Sequence, residues 1–208
     1  MHLSLRRVGA ALTLSTALAA SGAALAAPAH AAKWTHQDSV GDVVAVESMG
    51  PGGTAPEAAP ERTDIDVTKV VARHEGRKLT IKVRTRSAMT GPLSINGEIR
   101  TPRKRLLLMS MRLPGFMNST ELWDLKSAKD DPTVRCRGLS RSIDKSRRVM
   151  TFTVPRSCIG NPKWVRFSLQ MSAFDVLTDD DRMYVDDALR QGISGYGAGK
   201  VSPKIKHG

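Results

Sequence analysis

The chain has little of several things that usually announce an activity. Only two cysteines occur in 208 residues, Cys136 and Cys158. That is too few for a cysteine-built zinc site, and no histidine stands near either one. Aromatic residues make up 4% of the chain, so a stacking platform for sugars or nucleobases has few members to draw on. Trp34, Trp123 and Trp164 read instead as core anchors. There is no Gly-x-Ser-x-Gly elbow, no His-Glu-x-x-His pair and no phosphate loop. No stretch after residue 31 approaches the length of a membrane-spanning helix, and none has the 3.6-residue apolar period of a long amphipathic helix.

What is present begins with an export leader. Arg6 and Arg7 head an apolar run from Val8 to Leu25, and Ala29-His30-Ala31 has the small-x-small form of a cleavage site. A signal peptide over residues 1–31, cut after Ala31, places the mature protein outside the cell with no membrane span left. The remainder suits one domain, 32–190, followed by a glycine-rich, flexible C-terminal tail, 191–208. Two cysteines in an exported chain predict a Cys136–Cys158 disulfide. The chain-entropy account gives a loop of about 20 residues a stabilisation of about 3 kcal/mol.

The rest of the chain is organised around residues 65–86, which read as a β-hairpin. Leu79, Ile81, Val83 and Thr85 alternate with Lys78, Thr80, Lys82, Arg84 and Arg86, which predicts one apolar and one cationic face. Glu75-Gly76 is placed at the tip. Ile65 and Val67 fall out of step with Val70, Ala72 and His74, and a β-bulge near Thr68-Lys69 accounts for the slip. Further strands are expected over Leu93–Ile99 and over the alternating set Leu107, Met109, Met111 and Leu113. Shorter pieces follow at Thr120–Leu125 and around Asp144, where Met150, Phe152 and Val154 face inward. The last strong strand spans Trp164–Phe174, with Val165, Phe167, Leu169, Met171 and Ala173 on one face. Short strands separated by Gly/Pro turns indicate an all-β fold: an antiparallel β-sandwich of jelly-roll or immunoglobulin-like type. Residues 175–187 read as an acidic segment docked by Tyr184, Val185, Ala188 and Leu189.

Two constellations carry chemistry. Asp38 and Asp42 flank a glycine turn, and Asp64 and Asp66 open the hairpin. Calcium takes six to eight oxygens, commonly carboxylates and turn carbonyls, and is the one cofactor these residues suggest. Ordinary turn capping is the competing account. The second constellation is cationic: the chain carries 32 Lys and Arg against 20 Asp and Glu. Lys78, Lys82, Arg84 and Arg86 form a candidate polyanion-binding strip that Arg103-Lys104-Arg105 would extend. Export, the lack of a recognition helix and the few aromatics argue against nucleic acid. An anionic cell-envelope polymer or a polysaccharide is the natural partner.

The pieces DSVGDV, DIDVTKVVARHEGRKLTIKV, CRGLSRSID…VMTFTVPRSCIGNPKWVRF and VDDALRQG…SPKIKHG resemble a group of uncharacterised secreted proteins of high-GC Gram-positive bacteria. The resemblance implies a sandwich similar to DOMON-like and family-9-like carbohydrate-binding domains, in which an Asp-Gly-Asp-type turn precedes an Asp-Ile strand. It implies no activity, and no Met/His pair has the context of the haem-binding DOMON type. Three readings stay open: a non-catalytic binder of an anionic or carbohydrate partner at the cell envelope, a secreted hydrolase with carboxylates assembled from distant strands, and a structural or interaction protein with no small ligand.

Overall fold

A computed structural model describes residues 32–47, 55–174, 182–193 and 199–208. The expected leader, the acidic residues Asp175 and Asp179 to Asp181, and Tyr196 lie outside the described residues. In chain order the strands are β1 (Ala32–Gln37), β2 (Val44–Glu47), β3 (Glu57–Ala58), β4 (Val67–Glu75), β5 (Lys78–Thr85), β6 (Leu93–Arg100) and β7 (Arg105–Leu113). They continue with β8 (Met117–Asp124), β9 (Ser140–Asp144), β10 (Val149–Pro155), a 3-10 turn at Arg156–Ile159, β11 (Trp164–Phe167), β12 (Gln170–Phe174), β13 (Arg182–Asp187) and β14 (Ile205–Lys206). Among the described residues no helix is long and apolar enough to cross a membrane.

Every named strand pair is antiparallel. One sheet runs β1-β4-β5-β10-β9, the other β14-β11-β6-β12-β13-β2-β3, with β7 on the free edge of β6 and β8 beside β7. The alternation read in β5 and β10 sets the core. Leu79, Ile81, Val83, Met150, Phe152 and Val154 from the first sheet are buried in one cluster with Ile95, Ile99, Leu106, Leu108, Phe167 and Met171 from the second. Burying side chains of this size stabilises by roughly 1.5–3 kcal/mol each, so the strands are held in this parity. The result is an antiparallel β-sandwich, as expected.

The hairpin forms with its bulge between Val67 and Lys69. Its tip is one residue later than read from the sequence: Glu75 pairs Lys78, so the two turn residues are Gly76 and Arg77, with Gly76 at φ 51°. Cys136 and Cys158 are bonded, with Cα atoms 5.5 Å apart. They staple the approach to β9 onto the 3-10 turn after β10. His74 is buried, with Nδ1 3.2 Å from the Ile205 carbonyl.

Four expectations need correction. In β7 the buried residues are Leu106, Leu108 and Ser110, and the set Leu107, Met109 and Met111 faces the other way. Both parities of that stretch are apolar, and the tight turn that pairs Arg100 with Arg105 selects between them by placing Leu106 beside Ile99. Trp164–Phe174 is two strands, not one. β11 and β12 share one edge of β6 and are separated by Ser168-Leu169. It is not the last strong strand either, because Asp186 and Asp187 belong to β13, paired on both sides by β12 and β2. The tail returns to the body: β14 pairs β11, Ile205 is buried, and Gly208 N–H donates to the His74 carbonyl at 3.1 Å.

Gly97 explains why β6 tolerates the break opposite it. A Cβ there would stand 2.7 Å from the Ser168 carbonyl oxygen, while the Ser168 N–H bonds Glu98 O at 3.0 Å. Gly97→Ala must push the Ser168 backbone away from β6 and is expected to cost about 1–3 kcal/mol, as overpacking does. Thermal unfolding checks this; an unchanged melting temperature contradicts the close approach.

Candidate functional site

The outer face of the five-stranded sheet carries the first feature. Lys78, Lys82 and Arg84 are exposed and point away from the core, because their neighbours Leu79, Val83 and Thr85 are buried. Register extends these positions across three strands. Lys82 lies between Val71 of β4 and Thr151 of β10, and Arg84 between Lys69 and Val149. Gln37 of β1 completes the Lys69–Arg84 row. Gln37, Thr68, Lys69, Val71, Lys82, Arg84 and Val149 line a groove of about 450 Å³. Lys69 and Arg84 are direct cross-strand partners, an arrangement that like charges disfavour, and neither they nor Lys82 has an ion pair among the described residues. Among the described residues no aromatic side chain lines the groove. Trp34 sits partly buried against the core, its ring edge-on to Phe167.

The structure does not bring all the expected cations together. Lys78 lies at the hairpin tip beside Glu75 and Pro155. Arg86 lies beyond β5 and forms an ion pair with the Asp66 carboxylate at 3.2 Å, while its other terminal nitrogen donates a hydrogen bond to the Pro60 carbonyl. Arg105, on the other sheet, is committed to Glu98 at 2.5 Å. Lys69 is the cation that sequence reading missed. It interrupted the apolar pattern, and the bulge that explains the interruption also swings it onto the cationic face.

The second feature is a buried carboxylate cluster at one end of the sandwich. Asp38 follows β1, Asp42 precedes β2, Asp66 precedes β4 and Asp186 lies near the end of β13. Carboxylate oxygens of Asp42, Asp66 and Asp186 lie within 4.8 Å of one another, and all four residues are buried. Each of the three anchors one oxygen on a backbone N–H. Gly192 donates to Asp42 Oδ2 at 3.0 Å, Gly41 to Asp66 Oδ2 at 2.9 Å and Val67 to Asp186 Oδ2 at 2.6 Å. Gly41 can do so because it turns the chain at φ +80°, a conformation that disfavours other residues. Asp42 Oδ1, Asp66 Oδ1 and both oxygens of Asp38 are buried without a hydrogen-bond partner among the described residues. His36 Nε2 is 3.5 Å from Asp38 Oδ1.

Asp64 does not join them. It lies in a turn ahead of β4, where strand alternation does not apply, and pairs with Arg62 at 3.4 Å. Asp186, which does join, was hidden in what looked like one acidic segment; the apolar flanks Tyr184-Val185 and Ala188-Leu189 were the signal of a buried strand. Asp187 is also buried, and accepts from the Lys200 N–H at 2.8 Å and from Arg190 at 3.1 Å.

Burial, reinforced by the neighbouring Asp42 carboxylate, pushes Asp38 up to about 8. Burial, with Asp38, Asp42 and Asp66 around it and the Val67 N–H opposing, pushes Asp186 up to about 9. Asp42 and Asp66 move the same way, again through burial. A carboxyl raised in this way binds more protons folded than unfolded, so stability falls as pH rises towards the folded value and levels off above it. His36 and His74, lowered by burial, act in the opposite sense below about 6.5. In cation-free buffer the melting temperature is therefore expected to fall from about pH 7 to about pH 9. A flat or rising curve over that window contradicts the buried cluster.

No protein-family model, no curated protein and no solved structure matches the chain. What the two features do is therefore argued from their own chemistry.

Proposed function

We propose that the chain is an exported, non-catalytic β-sandwich protein that binds an anionic polymer of the cell envelope across the outer face of its five-stranded sheet. One observation carries the reading: Lys69, Lys82 and Arg84 converge on one groove, and among the described residues no carboxylate pairs with them. An unpaired cationic row is disfavoured in the free protein, and a bound chain of phosphates or carboxylates removes that cost. Export rests on the leader at residues 1–31. A neutral polysaccharide fits less well, because the groove has no aromatic platform for a sugar ring. The hydrolase reading would need carboxylates that a substrate can reach, and the converging aspartates are buried.

Binding of polyphosphate and of a polyuronate, measured over a range of salt, tests the proposal and separates the two anion chemistries. Lys82→Gln with Arg84→Gln is expected to leave stability within about 0.5 kcal/mol per site. It should weaken binding about tenfold at low salt and make the log–log salt slope shallower by about 1–2. A double variant that binds both polymers as well as the parent, with the same slope, reduces the face to a solubilising surface.

A further inference from the structure

We propose that Asp42, Asp66 and Asp186 form a calcium site that clamps one end of the sandwich, with the buried Asp38 carboxylate beside it. The inference rests on different residues from the anion-binding face and stands independently of it. Three arguments support it.

The first is reach. Two oxygens bound to one calcium at 2.3–2.6 Å lie at most about 5 Å apart, and the three carboxylates meet that limit at 4.8 Å. The second is orientation. The three backbone N–H groups each hold one oxygen of a pair. On Asp42 and Asp66 the other oxygen is buried and unpartnered, as it is when an outer shell fixes a ligand toward its metal. The third is Asp38. Its side chain is fully buried, at 0% exposure, and neither oxygen has a hydrogen-bond partner among the described residues. A buried carboxylate left in that state is costly unless something positive meets it. The Arg86 guanidinium stands 3.2 Å from Asp66 and His36 Nε2 3.5 Å from Asp38, and among the described residues no other ion pair reaches the four carboxyls.

The donor set selects the ion. All three converging ligands are carboxylate oxygens, which suit a hard cation and not zinc or copper, for which nitrogen and sulfur donors are preferred. Magnesium demands a near-regular octahedron and keeps much of its water. Carboxylates already half committed to backbone, arriving from chain segments far apart in sequence, suit the irregular, flexible shell of calcium. The physical effect is a clamp: the loop from Asp38 to Asp42, the entry to β4 and the end of β13 bring both sheets to one ion.

The test is equilibrium dialysis and thermal unfolding of the full chain, stripped with chelator and then titrated with calcium or magnesium. One calcium per chain is expected to bind, with a rise in melting temperature of about 5–10 °C at a hundredfold excess over Kd. Magnesium should bind more weakly. Asp186→Asn retains an oxygen to accept the Val67 N–H but loses the charge. It is expected to melt no lower than the parent in chelator, and to lose at least about tenfold in calcium affinity together with the thermal response. Asp64→Asn should respond like the parent. Absence of binding to the parent at about 10 mM calcium, above the weakest extracellular sites, overturns the proposal. So does tighter binding of magnesium, or an Asp186→Asn variant with the parent's full response. Should Asp186→Asn fail to fold, Asp42→Asn and the parent's own dialysis decide the matter on the same terms.

Discussion

The bulge between Val67 and Lys69 is the constraint on which both features of the molecule depend. Strand parity makes positions two apart share a face. Val67 is buried, so an unbulged strand would turn Lys69 inward and Val70, Ala72 and His74 outward. The extra residue reverses that. Val70, Ala72 and His74 enter the core, and Lys69 emerges opposite Arg84, where it completes the cationic row. On the other side of the bulge, Asp66 and the Val67 N–H stay inside, where the one contributes a carboxylate and the other receives Asp186. Thr68 lies between, its hydroxyl donating to the Arg84 carbonyl at 3.3 Å.

The two features also divide the charge. The chain is strongly basic, yet it gathers at least four carboxyls in one buried place. A basic exterior does little for that cluster: among the described residues Arg86 is the one Lys or Arg in an ion pair with it, and that pair reaches Asp66 alone. The carboxyls must therefore hold protons or meet a cation, and both outcomes tie folding to the solution outside. The cationic face has the opposite condition. Its charges are hydrated and tolerable, but their direct cross-strand placement of Lys69 and Arg84 is one that a solubilising surface does not require.

Much of the sandwich was legible because period-two alternation is unambiguous where one parity is apolar and the other charged. Leu79, Ile81 and Val83 in β5 are such a case, Met150, Phe152 and Val154 in β10 alternate with threonines, and the cysteine pair followed from count and the expected export. Alternation was silent in β7, where Leu106 to Met109 are all apolar and only the pairing of Ile99 with Leu106 chooses the face. It was misleading from Trp164 to Phe174, where the parity continues but Ser168-Leu169 splits the strand in two. Asp38, Asp42 and Asp66 could be named from the turn chemistry around them. Asp186 could not, because its contact with Val67 spans 119 positions: the apolar flanks of the DD pair mark a buried strand but do not say which partners it meets. Lys69 was visible only as a break in a pattern, since the consequence of a bulge depends on what the neighbouring strand places across from it.

The central claim is that the bulged hairpin presents an anion-binding row on its outer side. An amide-resolved NMR titration of the folded protein with a short polyphosphate tests it most directly. The account requires shifts concentrated at Gln37, Lys69, Val71, Lys82, Arg84 and Val149, fading as salt is raised. Shifts confined to the β7–β8 turn or the Arg103–Arg105 region, or none at low salt, would contradict it.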